Sequence, residues 1–320
     1  MTVAVIGDSN VDLEILLPAT GVEGNEHAHS DPTLSGGGSA ANAAAALSRL
    51  GVTTRFVGTV GSDVYGAAAI ASLADAGVDT SGVRMVDGGT TVMVLVVVPI
   101  GGERLIYVWP PRGGAHLELG VDDAVDGVEG ASWLHVSGIA LRGEPAAGSI
   151  LTVMDAARSS GAVVSLDVNL RLENWGWESD FRPTIDQALQ RSDVVFGGAV
   201  DELCPLSDVG DPVQAVTGLA TTRRLVVGRL GAGGAVAHDG DRLYRAEGHQ
   251  VEVVDTVGAG DAFDAGFIAS RMRGESIEMA LRYANGTAAL SIGRPGARAT
   301  PSHEEVVAFI GGEGQTAACC

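Results

Sequence analysis

The sequence predicts an α/β protein with a doubly wound, mostly parallel β-sheet flanked by helices, and three observations support this prediction. Short apolar runs typical of buried parallel strands recur along the chain, beginning with residues 3–7. Segments with helical periodicity separate these runs, as they do in consecutive βαβ units. Polar residues follow the ends of several predicted strands, which is where open α/β sheets bind ligands.

The composition bounds the domain organisation and the kinds of partner. A chain of 320 residues with 46% hydrophobic residues can bury a sizeable core, and 4% aromatic residues predict a core of Ala, Val, Leu and Ile. The formal charge is −20, which argues against nucleic acid or an anionic membrane as a partner. All 20 basic residues are Arg, so a Walker A loop and a lysine Schiff base are both excluded. A phosphate site must therefore use backbone amides, Arg or a metal ion.

Cysteine usage and the apolar runs predict the compartment. The cysteines are Cys204, Cys319 and Cys320, and this pattern does not form a disulfide framework, so a reducing compartment is expected. The chain opens directly as a strand without a basic leader, and its longest apolar run, residues 92–98, is far shorter than a membrane span. We therefore expect a soluble cytoplasmic protein.

The first half of the chain reads as strands, glycine turns and helices. The strand at 3–7 runs into a polar turn at 7–12, and three glycines at 36–38 precede an alanine-rich helix that ends before Gly51. A strand and turn at 57–66 precede a helix at 67–77. Two strand-like runs at 91–98 and 104–109, joined by a Pro- and Gly-containing connection, predict a hairpin.

The second half alternates strands and helices, as βαβ units require. We predict strands at 133–136, 163–167, 194–197 and 224–227, and helices at 145–160, 183–191 and 303–310. A disordered tail is expected over 313–320.

The stretch most informative about function is residues 251–267, which has the sequence D-T-V-G-A-G-D-A-F at its centre. An alternating apolar run at 251–254 predicts a strand, and a helix continues to Met272 with Gly274 as its stop. The turn between them would leave the amides of Gly258, Ala259 and Gly260 at a helix N-terminus, a site suited to an anion. Asp261 at the same helix start is either a cap or a base that takes a proton from a hydroxyl, and the spacing alone does not decide.

This stretch resembles the second signature of the PfkB (ribokinase-like) family of carbohydrate and nucleoside kinases. The run G-G-G-S-A-A-N-A at 36–43 resembles the first signature, and the resemblance covers about residues 3–310 in the family's order. It implies an ATP-dependent kinase that phosphorylates a hydroxymethyl group of a small carbohydrate. Asp261 then corresponds to the catalytic base, and the turn at 258–260 to the anion hole.

The resemblance also assigns substrate and nucleotide contacts. The substrate residues it implies are Asn10, Asp12, Gly37, Gly38, Asn42, Asn169 and Arg171. The residues implied to border the nucleotide are Arg229, Gly231, Gly233 and Asn285. Ser39 stands where ribokinases proper usually have Lys, which puts a narrow assignment to ribose in doubt.

Metal ions follow from the same resemblance. Mg²⁺ is expected with ATP because polyphosphate charge must be neutralised during phosphoryl transfer. The family's N-x-x-E motif is altered here, with Gly198 near the Asn position and either Asp201 or Glu202 as the acid. The loop at 294–297, together with Asp255, resembles a monovalent-cation site, so K⁺ is a hypothesis.

The resemblance implies a single ribokinase-like domain over 1–312 with a small β lid contributed by about 11–34 and 90–112. Relatives often form homodimers through such lid strands, and exposed strand runs fit that expectation. The alternatives are a nucleoside (adenosine- or pseudouridine-type) kinase and a regulatory homologue that has lost catalysis. An NAD-binding Rossmann protein is less favoured because no G-x-G-x-x-G follows the first strand. The identity of the acceptor and the oligomeric state stay open.

Overall fold

A nine-stranded sheet forms the centre of the protein. The computed structural model describes residues 1–16, 32–98, 105–111, 113–177 and 181–316. In chain order the strands of the large sheet are β1 Thr2–Ile6, β4 Thr53–Gly61, β5 Asp79–Val86, β8 Trp133–Ser137, β9 Val163–Asp167, β10 Val194–Gly198, β11 Leu225–Arg229, β12 Ala235–His238 and β13 Leu243–Ala246. Their spatial order is β13-β12-β11-β10-β9-β8-β1-β4-β5, and only the β11–β12 and β12–β13 pairings are antiparallel.

A second sheet of four strands stands apart from the first. Its strands are β2 Asn10–Leu16, β3 Thr33–Gly37, β6 Met93–Val98 and β7 Leu105–Trp109, in the order β3-β2-β6-β7. The predicted hairpin is present, because β6 and β7 pair antiparallel with Met93 opposite Trp109. This sheet contains the described parts of the two segments predicted to form a lid. The parts of the lid prediction at 17–31, 99–104 and 112 lie outside the described residues.

Helices cover both faces of the large sheet. They are α1 Ser39–Arg49, α2 Val64–Asp75, α3 Val121–Val128, α4 Ala146–Ser159, α5 Leu172–Trp175, α6 Phe181–Gln190, α7 Cys204–Ser207, α8 Pro212–Leu219, α9 Ala259–Met272, α10 Ile277–Ile292 and α11 His303–Thr316. Alternate strand residues face opposite layers. Ala4 and Ile6 belong to the buried apolar cluster that includes residues of α4, α6 and α8, whereas Val3 and Val5 belong to the cluster that includes residues of α1, α9 and α10. The predicted doubly wound α/β fold is confirmed.

The strand order creates the crevice in which a ligand would bind. From β1 the chain winds outward through β4 to β5, and from β8 it winds the opposite way through β9, β10 and β11. Such a reversal opens a crevice outside the carboxyl ends of the two central strands. Asp8 follows β1 at this edge, while Asp167 and Arg229 end β9 and β11.

Several sequence-based boundaries differ from the structure. Residues 251–254 do not form the predicted strand: the amides of Val254 and Asp255 donate to the Ile292 carbonyl at the end of α10, and Val253 and Val254 are more than half exposed. Helix α11 continues to Thr316, past the predicted end at 310, and residues 317–320 lie outside the described part. The elements β5, α3, α8, β12 and β13 were not predicted. No helix in the described ranges is long and apolar enough to cross a membrane.

Candidate active site

The glycine turn before α9 has the geometry predicted for an anion hole, with one change. Gly258 adopts a left-handed conformation with φ of 77°, and a Cβ there would lie 2.3 Å from the Ala297 carbonyl oxygen, so only glycine fits. The Ala259 amide donates to the Thr256 carbonyl at 3.3 Å, which closes the turn. No hydrogen bond within the described chain engages the amides of Gly258 and Gly260. Two amides rather than three are therefore available to an anion at the positive end of α9.

Asp261 is a buried carboxyl in the first turn of α9. Its Oδ2 accepts a hydrogen bond of 3.0 Å from Asn42 Nδ2, which comes from α1. Burial raises the pKa of Asp261 to about 7, the Asn42 bond opposes that rise, and the nearby carboxylates of Asp167 and Asp8 add to it. A general base works best when its pKa lies near the operating pH. The N-cap of α9 is Gly258 and no side chain caps this helix, so the position of Asp261 in the first turn suits a base better than a cap.

The predicted acceptor residues converge beside Asp261. Asn10 Nδ2 donates to Asp12 Oδ1 at 2.7 Å, and burial raises the pKa of Asp12 to about 6. A Cβ on Gly37 would come within 2.6 Å of both Asp12 carboxylate oxygens, so glycine is required for this approach. Gly38 precedes α1 in a left-handed conformation with φ of 97°. Asn10, Asp12, Gly37, Gly38 and Asn42 thus form one polar surface, the acceptor patch, where β2, β3 and α1 meet.

Asp8 was not assigned a role from the sequence, although it lies between the predicted strand and the acceptor residues. Its two carboxylate oxygens accept hydrogen bonds from the amides of Ser39 at 2.8 Å and Ala40 at 3.3 Å. These bonds cap the amino end of α1 with a charged acceptor. Asp8 therefore holds α1, and with it Asn42, against the first strand.

Asn169 and Arg171 lie on the same edge in strained backbone conformations. Both have positive φ, 42° and 45°. Asn169 is buried and donates from Nδ2 to Asp167 Oδ2 at 3.0 Å, whereas Arg171 is exposed and its charge lowers the pKa of Asp261. Such conformations concentrate at ligand sites. The exposed guanidinium can reach an anion, while Asn169 orients a neighbouring carboxylate.

Arg229 occupies a different environment from the one predicted. Its guanidinium is mostly buried beneath the glycine turn and pairs with three carboxylates: Asp167 at 2.9 Å, Glu202 at 3.3 Å and Asp264 at 2.7 Å. The carboxylate pairs hold the pKa of Arg229 well above its usual value. The buried acid Asp264, which is fully buried in α9, was also missed. A charged residue on the apolar side of a predicted helix was the signal that could have found it.

The structure separates the two candidates for the metal-organising acid. Asp201 is exposed, whereas Glu202 points inward and accepts from the amides of Leu170 at 2.8 Å and Gly198 at 2.6 Å. Burial raises the pKa of Glu202. No group of three or more His, Cys, Asp or Glu side chains in the described residues is arranged to hold a metal ion. Carboxylate oxygen suits Mg²⁺, so this donor set fits a contact through water and not a protein cage.

Asp255 and the predicted nucleotide residues lie around the far side of the turn. Asp255 accepts from the amides of Val257 at 3.0 Å and Gly296 at 3.1 Å, which ties the turn to the loop after α10. Gly231 and Gly233 bound a single 3₁₀ turn after β11. Asn285 donates from Nδ2 to the carbonyls of Ala246 at 3.1 Å and Glu247 at 2.9 Å, so its amide nitrogen holds the end of β13.

Arg298 is a further residue at this edge that the sequence did not indicate. It contacts the acceptor patch from the loop after α10 through Asn42 Oδ1 and the Gly37 carbonyl. Burial lowers the pKa of Arg298 to about 10, so it stays charged at neutral pH. Nothing in the local pattern of this loop marks it, because both contacts are made across more than 250 positions of sequence.

Comparisons with known proteins identify a family and several relatives of this chain. The family model described as pfkB family carbohydrate kinase matches residues 1–304. An ATP-dependent ribose-1-phosphate kinase from Halopiger xanaduensis is 36% identical over 277 residues, 86% of this chain and 86% of the relative. A fructokinase double mutant from Vibrio cholerae O395 in fructose-, ADP- and potassium-bound form superposes with a TM-score of 0.79 at 28% identity over 97% of this chain and 98% of its own.

A nucleoside-type kinase is also similar. An aminoimidazole riboside kinase from Salmonella enterica, solved with aminoimidazole riboside and an ATP analogue, has a TM-score of 0.76 at 28% identity and covers 97% of this chain and 99% of its own. The match of the family model along nearly the whole chain and the named relatives identify a phosphotransferase with an alcohol group as acceptor. The chain belongs to the PfkB family of carbohydrate kinases.

Proposed function

We propose that this protein is an ATP-dependent sugar kinase that transfers the γ-phosphate to a hydroxymethyl group of a small carbohydrate. The observation that carries the proposal is the hydrogen bond of 3.0 Å between Asn42 and Asp261. It joins the acceptor patch on α1 to the anion hole at the start of α9. One buried carboxyl therefore lies between the place where an alcohol would bind and the place where a phosphoryl group would be held.

The chemistry follows from this placement. The acceptor hydroxyl, held by Asn10 and Asp12, attacks the γ-phosphorus while its proton passes to the Asp261 carboxylate. The new O–P bond forms as the bond to the β-phosphate oxygen breaks, and ADP leaves with that electron pair. The amides of Gly258 and Gly260 stabilise the charge spread over the transferred group. Closure of the four-stranded sheet over the acceptor would exclude water and suppress ATP hydrolysis.

Two cations complete the proposal. Mg²⁺ bound with ATP would neutralise polyphosphate charge, and Glu202 is the residue that would orient a water of that ion. Asp255 and the adjoining loop at 294–297 are the proposed monovalent-cation site, and the potassium-bound form of the similar fructokinase supports potassium as the ion. Arg229 is proposed to stabilise the floor of the nucleotide site, with Gly231, Gly233 and Asn285 at its border.

Sugars are favoured as the acceptor class, with nucleosides as the second candidate. Named relatives act on ribose 1-phosphate and fructose, and one structural neighbour binds an aminoimidazole riboside. An ADP-release assay with ribose 1-phosphate, fructose, other small sugars and nucleosides tests the choice directly. Turnover with nucleosides alone would replace the sugar assignment, and no turnover with any acceptor would favour a regulatory homologue.

Asp261→Asn tests the base. The variant keeps the shape of the side chain but cannot accept the proton, so kcat should fall by about 10²-fold or more while ATP binding, measured by calorimetry, is retained. Asp122→Asn on the exposed face of α3 is the matched control and should behave as wild type. Turnover by Asp261→Asn close to that of wild type would refute the assignment.

We further propose that two copies associate through the small sheet and that the enzyme acts in the cytoplasm, where ATP is available. Strand β7 supports the dimer, because all five of its residues, Leu105–Trp109, are exposed at 37–58% of their surface. An exposed apolar edge strand is a template for pairing with a second chain. The acceptor site and a dimer contact would then share one sheet.

A further inference from the structure

Arg298 lies behind the acceptor patch and connects three separate elements. Its Nε donates to Asn42 Oδ1 at 3.1 Å, one terminal nitrogen donates to the Gly37 carbonyl at 3.0 Å, and the other donates to Ser72 Oγ at 2.7 Å. The guanidinium is rigid and planar, so these three contacts fix the relative positions of β3, α1 and α2. We propose that Arg298 is a positioning residue for phosphoryl transfer, which holds the Asn42 carboxamide so that it engages Asp261.

The side chain does not lie on the acceptor side of β3. A Cβ on Gly36 would come within 2.3 Å of an Arg298 terminal nitrogen, whereas a Cβ on Gly37 would meet the Asp12 carboxylate. Consecutive strand residues face opposite sides of a sheet. Arg298 is therefore on the reverse face of the strand that carries the acceptor contacts. It influences the acceptor site through the groups it holds and through its charge near Asp12 and Asp261.

The Asn42 carboxamide has one favourable orientation because of Arg298. Its oxygen faces the guanidinium at 3.1 Å and its nitrogen faces the Asp261 carboxylate at 3.0 Å. Exchanging the two atoms would place NH₂ against a cation and oxygen against an anion, and both contacts would repel. Arg298 thus selects the rotamer in which Asn42 donates to the base.

The loop that carries Arg298 also contacts the anion hole. The Gly296 amide donates to Asp255 Oδ2 at 3.1 Å, and the Ala297 carbonyl packs directly against Gly258. Residues 296–298 therefore touch the glycine turn with one end and the acceptor patch with the other. This loop couples the position of the phosphoryl site to the position of the acceptor, and the inference rests on the proposed kinase activity.

The charges around the base give the proposal a measurable consequence. The charged or titratable groups that face Asp261 or Arg298 are Asp8, Asp12, Asp167, Arg171 and Asp264. The Asn42 bond favours the charged form of Asp261. Loss of Arg298 releases Asn42 and removes a nearby positive charge, and both changes disfavour the carboxylate. The acid limb of the profile of kcat/KM against pH should then move to higher pH.

Two variants separate positioning from simple charge. Arg298→Gln removes both the positive charge and the planar guanidinium with its directed donors. We expect kcat to fall by about 10²-fold, since small misplacements of reacting groups have effects of that size. Arg298→Lys keeps a charge but cannot make three directed contacts, so kcat should fall while the acid limb moves less. KM for ATP should stay within about twofold of wild type in both variants, because the main-chain contacts between the loop at 296–298 and the glycine turn remain. Arg84→Gln, an arginine of β5 paired with Asp123, is the matched control.

Hydrogen exchange gives a readout that does not depend on turnover. Arg298→Gln should speed amide exchange at 36–42 and leave the core strands β8–β10 unchanged. Unchanged exchange at 36–42, or wild-type kcat and an unmoved acid limb in both variants, would overturn the proposal. A fall in kcat that matched only a loss of folded protein would also overturn it. If the wild type itself turns over no acceptor, the proposed function fails, and the exchange result still decides whether Arg298 holds residues 36–42 in place.

Discussion

The buried ion cluster beneath the glycine turn offers a sharp test of the site's construction. Arg229 is the cation that the described chain provides for the carboxylates of Asp167, Glu202 and Asp264, at 2.9, 3.3 and 2.7 Å. Arg229→Met would keep much of the side-chain volume and remove the charge. Breaking a buried pair by removing one partner costs about 3–5 kcal/mol because the remaining charge is left unpaired. We expect a loss of unfolding free energy in that range near neutral pH.

The loss should depend on pH in a defined direction. Burial raises the pKa of Asp264 well above its usual value, and Arg229 opposes that rise, so the pKa climbs further in the variant. A carboxyl with a raised folded-state pKa retains a proton in the folded protein that the unfolded chain releases. Its contribution to stability is therefore present at low pH and is lost as pH rises through the folded pKa. Each such proton is worth about 1.4 kcal/mol per pH unit.

Urea unfolding at about pH 5.5 and about pH 7.5 measures both effects. The difference in unfolding free energy between Arg229→Met and wild type should be larger at about pH 7.5 than at about pH 5.5. Arg84→Met is the control, because Arg84 and Asp123 form a half-exposed pair at 2.7 Å that should contribute no more than about 1 kcal/mol. A loss below about 1 kcal/mol for Arg229→Met, or a loss that shrinks as pH rises, would show that Arg229 is not the counter-charge of this cluster.

Two further predictions concern the glycine turn and the small sheet. Gly258→Ala should lower both Tm and kcat, because the new Cβ would lie 2.3 Å from the Ala297 carbonyl, whereas Gly274→Ala has a similar φ of 80° but open space and should cost only about 1 kcal/mol. Equal effects of the two changes on kcat would contradict this prediction, because they would show that the glycine turn before α9 tolerates displacement. Tyr107→Asp on β7 should convert a dimer into a monomer in analytical ultracentrifugation without loss of folding, since Tyr107 is 58% exposed. A wild-type monomer, or an unchanged dimer in the variant, would contradict the proposed contact.

Local patterns predicted much of the fold because they depend on short segments. The strands at 133–136 and 163–167 were found because buried parallel strands are continuous apolar runs, and α9 because glycine marks its end at Gly274. The strand predicted at 251–254 is absent because that prediction, too, used only a local pattern. Its alternating valines match the period of a strand, but they lie on the surface, and backbone contacts with Ile292 replace a sheet partner. The alternation of apolar and polar residues in one segment does not indicate whether a partner strand is available to it.

Among the site residues, those in short motifs were predicted, whereas contacts between distant parts of the chain were not. Asn10, Asp12, Asn42 and Asp261 were all predicted from motifs, and they do lie together. The surroundings of Arg229 were not predictable, because its partners Asp167 and Asp264 are 62 and 35 positions away in sequence. Asp201 and Glu202 are adjacent in the chain, and only the backbone path after β10 turns Glu202 inward.

Composition and motifs alone identify an α/β kinase of the PfkB family whose phosphate site must use backbone amides, arginine or a metal ion, because lysine is absent. These properties follow from composition and short motifs, which folding does not alter. Which charges face one another follows from the folded arrangement, since burial and proximity raise the pKa of Asp261 to about 7 and bring Arg298 to Asn42. Electrostatic energies depend on distance and on exclusion of water, and neither quantity exists before the chain has folded.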